Sequence, residues 1–427
     1  MSLRYVGLER LPKLKALQRP SRQKLQSDDG ESQCPMKATC YDPEQLAQAL
    51  GATPKKNQFG EYLSVRCWCA TPPRYSPDKS AVRLLSPDGP ESIADPERWL
   101  FLDTETTGLA GGSGTYAFLI GVAWWEGGGL EIEQFFLREY CEERSLLFTL
   151  RERIAEHPVL VSFNGKSFDW PLLETRFRMS RKIAVPNLEA HLDFLHPARN
   201  LWRSRLGSVR LSELERHVLG WDRGEDVFSG LIPQIYSDYV RGGSPERLVP
   251  VFHHNQMDLR GLAALSTRIL SLLSNAETEG QDGLELFGVS RICEKRGEHV
   301  RARNLYQQSI ASSLPAEADR VARRSLAKLA KRAGDVDLAC ALWKEALGNS
   351  RQGYDAYEQL AIHYEHKVRD PEQARQIVQQ AIDELCRASR AGEITPGAYR
   401  EIKGKFDRRM LRLERKPQRR LLYARQA

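Results

Sequence analysis

The run Trp99-Leu100-Phe101-Leu102-Asp103-Thr104-Glu105-Thr106-Thr107-Gly108 constrains this chain more than any other stretch. Four apolar residues lead into two carboxylates one residue apart, and a Thr-Thr-Gly break follows. The apolar part reads as a short buried strand. Side chains alternate faces along a strand, so Asp103 and Glu105 point the same way. Two like charges at the end of a buried strand repel unless something positive sits between them. A divalent cation held by hard oxygen ligands meets that need. The competing reading is an acidic surface turn, and the rest of the chain decides between them by supplying further ligands or failing to.

From residue 99 to about 275 the pattern is α/β. The Asp103 strand is followed by Gly108, Gly111, Gly112 and Gly114. This cluster is neither a G-x-x-x-x-G-K-[ST] nor a G-x-G-x-x-G loop, and it suits close passage of backbone past a neighbour. Apolar runs at 116–125 and 130–137, joined by Gly127-Gly128-Gly129, predict an antiparallel meander. A helix is expected over 142–156, a buried strand over 159–164 and a helix from Asp169 to Arg178. Later helices are expected around 211–219, 245–252 and 257–274. The sum is a mixed sheet covered by helices. Before it, residues 1–40 read as a flexible basic arm. Residues 41–98 read as an N-terminal extension with a helix at 42–50 and a strand at 62–68.

From about 285 the texture turns to continuous helix with a period of roughly 35 residues. Helices Ala302–Ile310, Ala339–Leu347 and Ala374–Ile382 each carry an alanine where a partner helix would cross. Period, paired helices and the placement of Ala302 with Tyr306 and of Ala339 with Trp343 resemble tetratricopeptide repeats over 285–400. The end, 401–427, reads as a basic tail; eleven Arg and Lys stand against three acids from Arg400 to Ala427.

The 427 residues allow two or three domains, and a net charge of +7 is compatible with a polyanionic partner. No apolar run approaches the ~20 residues that span a bilayer, and the basic start lacks an apolar core, so a cytoplasmic location is expected. The eight cysteines are scattered. Cys34, Cys40, Cys67 and Cys69 are not spaced as a zinc site, and Cys141, Cys293, Cys340 and Cys386 read as packed free thiols.

Two further acids stand where ligands are needed. Asp169 opens a helix five residues after Asn164, which closes a strand, and α/β sheets build sites at strand C-terminal ends. A helix N-cap is the plain alternative. Asp258 follows His253 and His254 in Phe252-His253-His254-Asn255-Gln256-Met257-Asp258. One of these imidazoles can face the site and take a proton from an attacking water.

Asp103-x-Glu105, Asn164-x4-Asp169 and His-x3/4-Asp258, in that order, resemble the DEDD exonuclease superfamily with its ribonuclease-H-like fold. The strings FLDTETTGLAGGSGTYAFLIGVAWW, LVSFNGKSFDWPLLETRF, HLDFLHPARNLW and HHNQMDLRGLAAL resemble the YprB-like ribonuclease-H-like domain proteins over 99–275. The resemblance implies a 3′→5′ exonuclease site holding two Mg²⁺ or Mn²⁺ ions on Asp103, Glu105, Asp169 and Asp258. It places a histidine base at His253 or His254, and the His-Asn-x-x-Asp string favours His254. Asp193 would be structural or accessory. Thr106, Asn164, Lys166 and Phe168 would contact substrate, a single-stranded DNA or RNA end. The helical repeats would bind a partner or guide substrate. The alternative is an inert ribonuclease-H-like platform whose repeats bind a protein or nucleic acid.

Overall fold

The computed structural model describes residues 43–108, 114–276, 282–347 and 354–424. The basic arm at 1–40 and the glycines at 111 and 112 lie outside them, as do Cys34 and Cys40. Seven strands form one sheet among the described residues: β1 (Thr53–Asn57), β2 (Gly60–Cys69), β3 (Trp99–Thr106), β4 (Ala117–Glu126), β5 (Gly129–Phe136), β6 (Val159–Ser162) and β7 (Ala190–Asp193). Their order across the sheet is β1-β2-β5-β4-β3-β6-β7. The pairs from β1 to β3 are antiparallel, and β6 lies parallel to both β3 and β7. The expected mixed sheet is present, with two strands that periodicity did not announce. β1 is a polar edge strand, Thr-Pro-Lys-Lys-Asn, and β7 has only four residues. The segment before residue 99 thus supplies β1 and β2 to the same sheet.

Alternation along β3 sends Trp99 and Phe101 into one core and Leu100 and Leu102 into another. The Leu100 face is covered by α1 (Pro43–Leu50), α3 (Glu143–Glu156), α4 (Asp169–Ser180) and α7 (Ile232–Val240). The Trp99 face is covered by α2 (Lys79–Leu85), α5 (Leu195–Leu206) and most of α8 (Val249–Asn275). A short helix, α6 (Leu211–Leu214), runs into a π-helical turn over Glu215–Leu219.

Helix α8 joins the stretches read as separate helices at 245–252 and 257–274, so His253, His254 and Asp258 all stand on one helix. Val251 and Phe252 join the Leu100-side core, and Leu259 onward joins the Trp99-side core. The residues between them, where the polar string lies, are therefore brought against the sheet.

The Trp99-side core continues without a break into α9 (Gly283–Lys295), α10 (His299–Ala311), α11 (Ala316–Arg332), α12 (Val336–Glu345), α13 (Asp355–His363), α14 (Pro371–Arg390) and α15 (Pro396–Ala424). Ala302, Ala339 and Ala374 are fully buried, as small residues at helix crossings should be. Each of their helices follows a residue with positive φ: Gly297, Gly334 and Arg369. The segment read as a basic tail is mostly α15. Phe406 and Leu413 are buried there, and Arg409 and Arg412 both pair with the buried Glu365. Of the thiols expected to be packed, Cys293 is buried and Cys340 and Cys386 are half-buried, but Cys141 is exposed. No described helix is long and apolar enough to cross a membrane.

Candidate active site

In the sheet register Asp103 pairs with Gly121, and Gly121 pairs with Gln134. This row meets α8 at Asn255. The Asn255 amide donates to Asp103 Oδ2 at 2.7 Å, and its carbonyl accepts from Gln134 Nε2 at 2.8 Å. Gln134 Nε2 also donates to the carbonyl of Phe252 at 2.9 Å, and its own carbonyl accepts from Gln256 at 2.8 Å. A buried amide pair with all these partners fixes helix to sheet and aims the Asp103 carboxylate. Gly121 makes room for it, because a Cβ there would stand 2.1 Å from Asn255 Oδ1. Gly121→Ala is therefore expected to destabilise the fold by about 1–3 kcal/mol through overpacking, read in a denaturant melt.

Asp103 and Glu105 lie on the face of β3 that meets α8, as alternation requires. Asp169 stands in the first turn of α4, but it is not the cap. The cap residue is Phe168, with no side-chain cap bond, and the Asp169 carboxylate instead accepts from the Thr104 hydroxyl at 2.5 Å. Burial pushes the Asp103 carboxyl well above the usual carboxylate range, and the charges of Asp258, Glu105 and Asp169 push it further. Glu105 is raised well above that range by burial and then by Asp258, Asp169 and Asp226. Asp169 is raised chiefly by burial, against the Thr104 hydrogen bond. Asp169 and Asp258 thus stand near enough to both β3 carboxylates for their charges to act on them.

Only one of the two histidines reaches it. His254 is buried, and its Nε2 lies 4.0 Å from Glu105 Oε1 and 3.5 Å from Asp258 Oδ2. His253, the less favoured of the two candidates, is exposed. Neighbours on a helix are turned about 100° apart, so they cannot share a face. The other ring nitrogen, Nδ1, sits 2.8 and 2.9 Å from the two oxygens of Asp226. An ionised carboxylate only accepts, so Nδ1 donates to Asp226 and Nε2 is the nitrogen that faces the acids. Ser229 Oγ is 3.4 Å from the same Nε2. Asp226 has its carboxyl held low: burial works against this, and the His254 and Arg223 contacts outweigh it.

Arg223 is the cation of the neighbourhood. Its guanidinium donates to Asp258 Oδ1 at 2.5 Å, to Asp226 Oδ2 at 3.2 Å and to both oxygens of the fully buried Glu215. Burial opposes its charge, but Glu215 and Asp258 more than compensate and hold its pKa above the ordinary arginine value. Glu215 is itself raised by burial, with Arg223 opposing. Gly261 on α8 allows this approach, since a Cβ there would fall 1.6 Å from Glu215 Oε1.

The remaining expected site residues line the approaches. Asn164 adopts φ 71°, and its N–H donates to Asp193 Oδ1 at 2.9 Å. The N–H of Lys166 donates to Asp193 Oδ2 at 3.0 Å. Asp193 therefore ties down the loop that leads to Asp169. The Lys166 side chain is exposed, as is Phe168. Thr106 ends β3 at a register shift, and its hydroxyl donates to the Gly108 carbonyl at 3.0 Å.

A divalent cation fits this donor set. Glu105, His254 and Asp258 each offer a ligand atom within 4.8 Å of the others. Among the described residues no lysine or arginine pairs with Asp103, Glu105 or Asp169. Three half-buried carboxylates without a cation, two of them raised by the charges of their neighbours, leave an uncompensated charge that a hard dication offsets.

Comparison with known proteins agrees. Residues 100–270 match the RNase_H superfamily. Over 311 residues the chain is 30% identical to the uncharacterized protein YprB of Bacillus subtilis (strain 168), covering 72% of this chain and 74% of that protein. The chain belongs to the YprB family of the RNase H superfamily. RNase H superfamily proteins commonly hydrolyse nucleic acids and typically use divalent metals, and the matched span contains all four carboxylates and His254. The matched span holds β3 to β7 of the sheet; β1, β2 and the helices from α9 onward lie outside it.

Four contributors to this RNase H superfamily site escaped sequence reasoning. Asn255 and Gln134 fall on inward faces of a helix and a strand, where a polar residue must find partners. That signal was present in the pattern. Arg223 and Asp226 lie in Trp221-Asp222-Arg223-Gly224-Glu225-Asp226, a charged loop without periodicity, and nothing in it points to the site.

Proposed function

We propose that this protein is a divalent-metal-dependent exonuclease of DEDD type, acting 3′→5′ on single-stranded DNA or RNA ends. One observation carries the reading. Glu105 and Asp258 each bring a carboxylate oxygen within 4.8 Å of an imidazole whose far nitrogen is fixed by Asp226, and Asp103 and Asp169 add their charges beside them. Two Mg²⁺ or Mn²⁺ ions on these carboxylates would supply Lewis-acid stabilisation of charge on the phosphoryl oxygens and acidify water.

The chain's own residues do the rest. His254 Nε2 accepts the proton of the attacking water, and Asp226 holds the Nδ1–H and stabilises the imidazolium that forms. Asn255 keeps Asp103 aimed, and Arg223 holds one oxygen of Asp258 while leaving the other toward His254. Residues 99–275 act as the catalytic domain. The helix pairs of 285–400 act as tetratricopeptide-like repeats that bind a partner or guide substrate.

The test is hydrolysis of single- and double-stranded DNA and RNA, labelled at either end, with Mg²⁺ or Mn²⁺. The reading expects stepwise shortening from the 3′ end. Internal cuts would make the enzyme an endonuclease, and inertness on every substrate would point to a platform. Asp226→Asn should lower kcat by about 10–100-fold with little change in KM, because the ring loses its orienting carboxylate while the substrate contacts stay.

A further inference from the structure

Beside the carboxylate cluster, on the His254 side, lies a cavity of about 560 Å³ between the π-helical turn 215–219 and the loop 221–230. His254 forms part of its wall, so it opens directly onto the proposed base. The volume is in the range of cavities that take small ligands. Two kinds of group in its lining have no structural duty.

The first is Phe228, 71% exposed, in the loop whose neighbours Asp226 and Ser229 both contact His254. A large apolar ring held in water beside a rigid polar network gains nothing for the fold. The second is a pair of arginines, Arg210 and Arg216. Both are exposed, and neither side chain has an ion pair or hydrogen bond among the described residues. The nearby acids do not compensate them. Glu213 is paired with His217, and Asp222 accepts from the N–H of Gly224. On the Asp169 side of the cluster a second ring, Phe168, is 61% exposed.

We infer that this cavity is a subsite for the nucleic-acid strand, in which Phe228 stacks a base while Arg210 and Arg216 take backbone phosphates. The inference rests on the nuclease reading for its substrate and adds a place for the strand to lie. Stacking on an exposed ring needs an unstacked base, and guanidinium groups suit phosphate oxygens. Phe168 offers a second stacking face next to Asp169. A strand held at both rings passes the carboxylates and His254 between them.

The experiment measures binding apart from hydrolysis. Fluorescent oligo-dT and oligo-rU are titrated with the full chain in Ca²⁺, with the probe checked by gel for integrity, and anisotropy is read over a series of salt concentrations. Phe228→Ala is expected to weaken single-strand binding by about tenfold or more, and Phe228→Tyr to restore it. Arg210→Gln and Arg216→Gln should each reduce the slope of log K against log salt by about 0.7. All three positions are exposed, so thermal melts should match the wild type.

Wild-type affinity in Phe228→Ala together with an unchanged salt slope in both arginine variants would overturn the subsite, whatever the hydrolysis assay shows. Loss of self-association or of a protein partner in Phe228→Ala, with strand binding intact, would overturn it too. Strand binding that depends on Phe228 in a protein that hydrolyses nothing would keep the subsite and sink the nuclease reading instead.

Discussion

Replacing Asp103 by asparagine should reduce metal-dependent hydrolysis by about 10³-fold or more while making the metal-free protein more stable. The first effect follows from the removal of a metal-ligating charge, worth several kcal/mol at the transition state, or roughly 4 kcal/mol for that loss of rate. The second follows from the repulsion at the site. Burial and the Asp258, Glu105 and Asp169 charges all raise the Asp103 carboxyl. A raised carboxyl binds in the folded state a proton that the unfolded chain has already released. Stability is thus lost as pH rises from the ordinary carboxylate range, about pH 4, through the raised value. Asparagine has no charge to titrate, and its carbonyl can still accept from Asn255. In EDTA near neutral pH, Asp103→Asn should melt above the wild type, and the gap should close as pH falls toward 4. Added Mn²⁺ should raise the melting temperature of the wild type and leave that of the variant unchanged. A variant that melts lower at every pH would mean that Asp103 is a structural acceptor for Asn255 and little else.

His254→Ala should cost about 10²–10⁴-fold in kcat, the usual worth of a positioned general base. His253→Ala, one residue away but exposed, should leave kcat within error of wild type. The pair is informative because the two changes are chemically identical and differ only in the face of α8 they occupy. Metal binding should survive His254→Ala better than Asp103→Asn if the imidazole serves mainly to take a proton. Asp226→Asn should fall between the two histidine variants, since it leaves the ring in place and removes what orients it.

Much of this was legible in the chain. Trp99–Glu105 announced a buried strand with two acids on one face, and alternation alone put both on the side that α8 covers. Asp169 and Asp258 were read as ligand candidates from their places after a strand and beside the histidines, and the family resemblance joined them. The choice between His253 and His254 needed the helix phase of α8, which a string read as ending one helix and starting another cannot supply. β1 was missed because a polar edge strand has no hydrophobic alternation, and β7 because four residues are too few to show a period. Asn255 and Gln134 went unread, although polar residues on inward faces of a helix and a strand are a legible signal. Arg223 and Asp226 left none, because they reach the site from an irregular loop, and loop conformation follows from tertiary contacts that no local pattern encodes. The basic end was misread in the same way. Its charge is visible along the sequence, whereas the burial of Phe406 and Leu413 and the pairing of Arg409 and Arg412 with Glu365 depend on α13 to α15 being packed together.

The central claim is that the carboxylates of β3, α4 and α8 form a metal-dependent site. Calorimetric titration of Mn²⁺ into the metal-free wild type, Asp103→Asn, Asp258→Asn and His253→Ala tests it most directly. The account predicts saturable binding in the wild type and His253→Ala, and its loss in both aspartate variants. Equal binding in all four proteins, or none in a wild type that still hydrolyses nucleic acid, would contradict it.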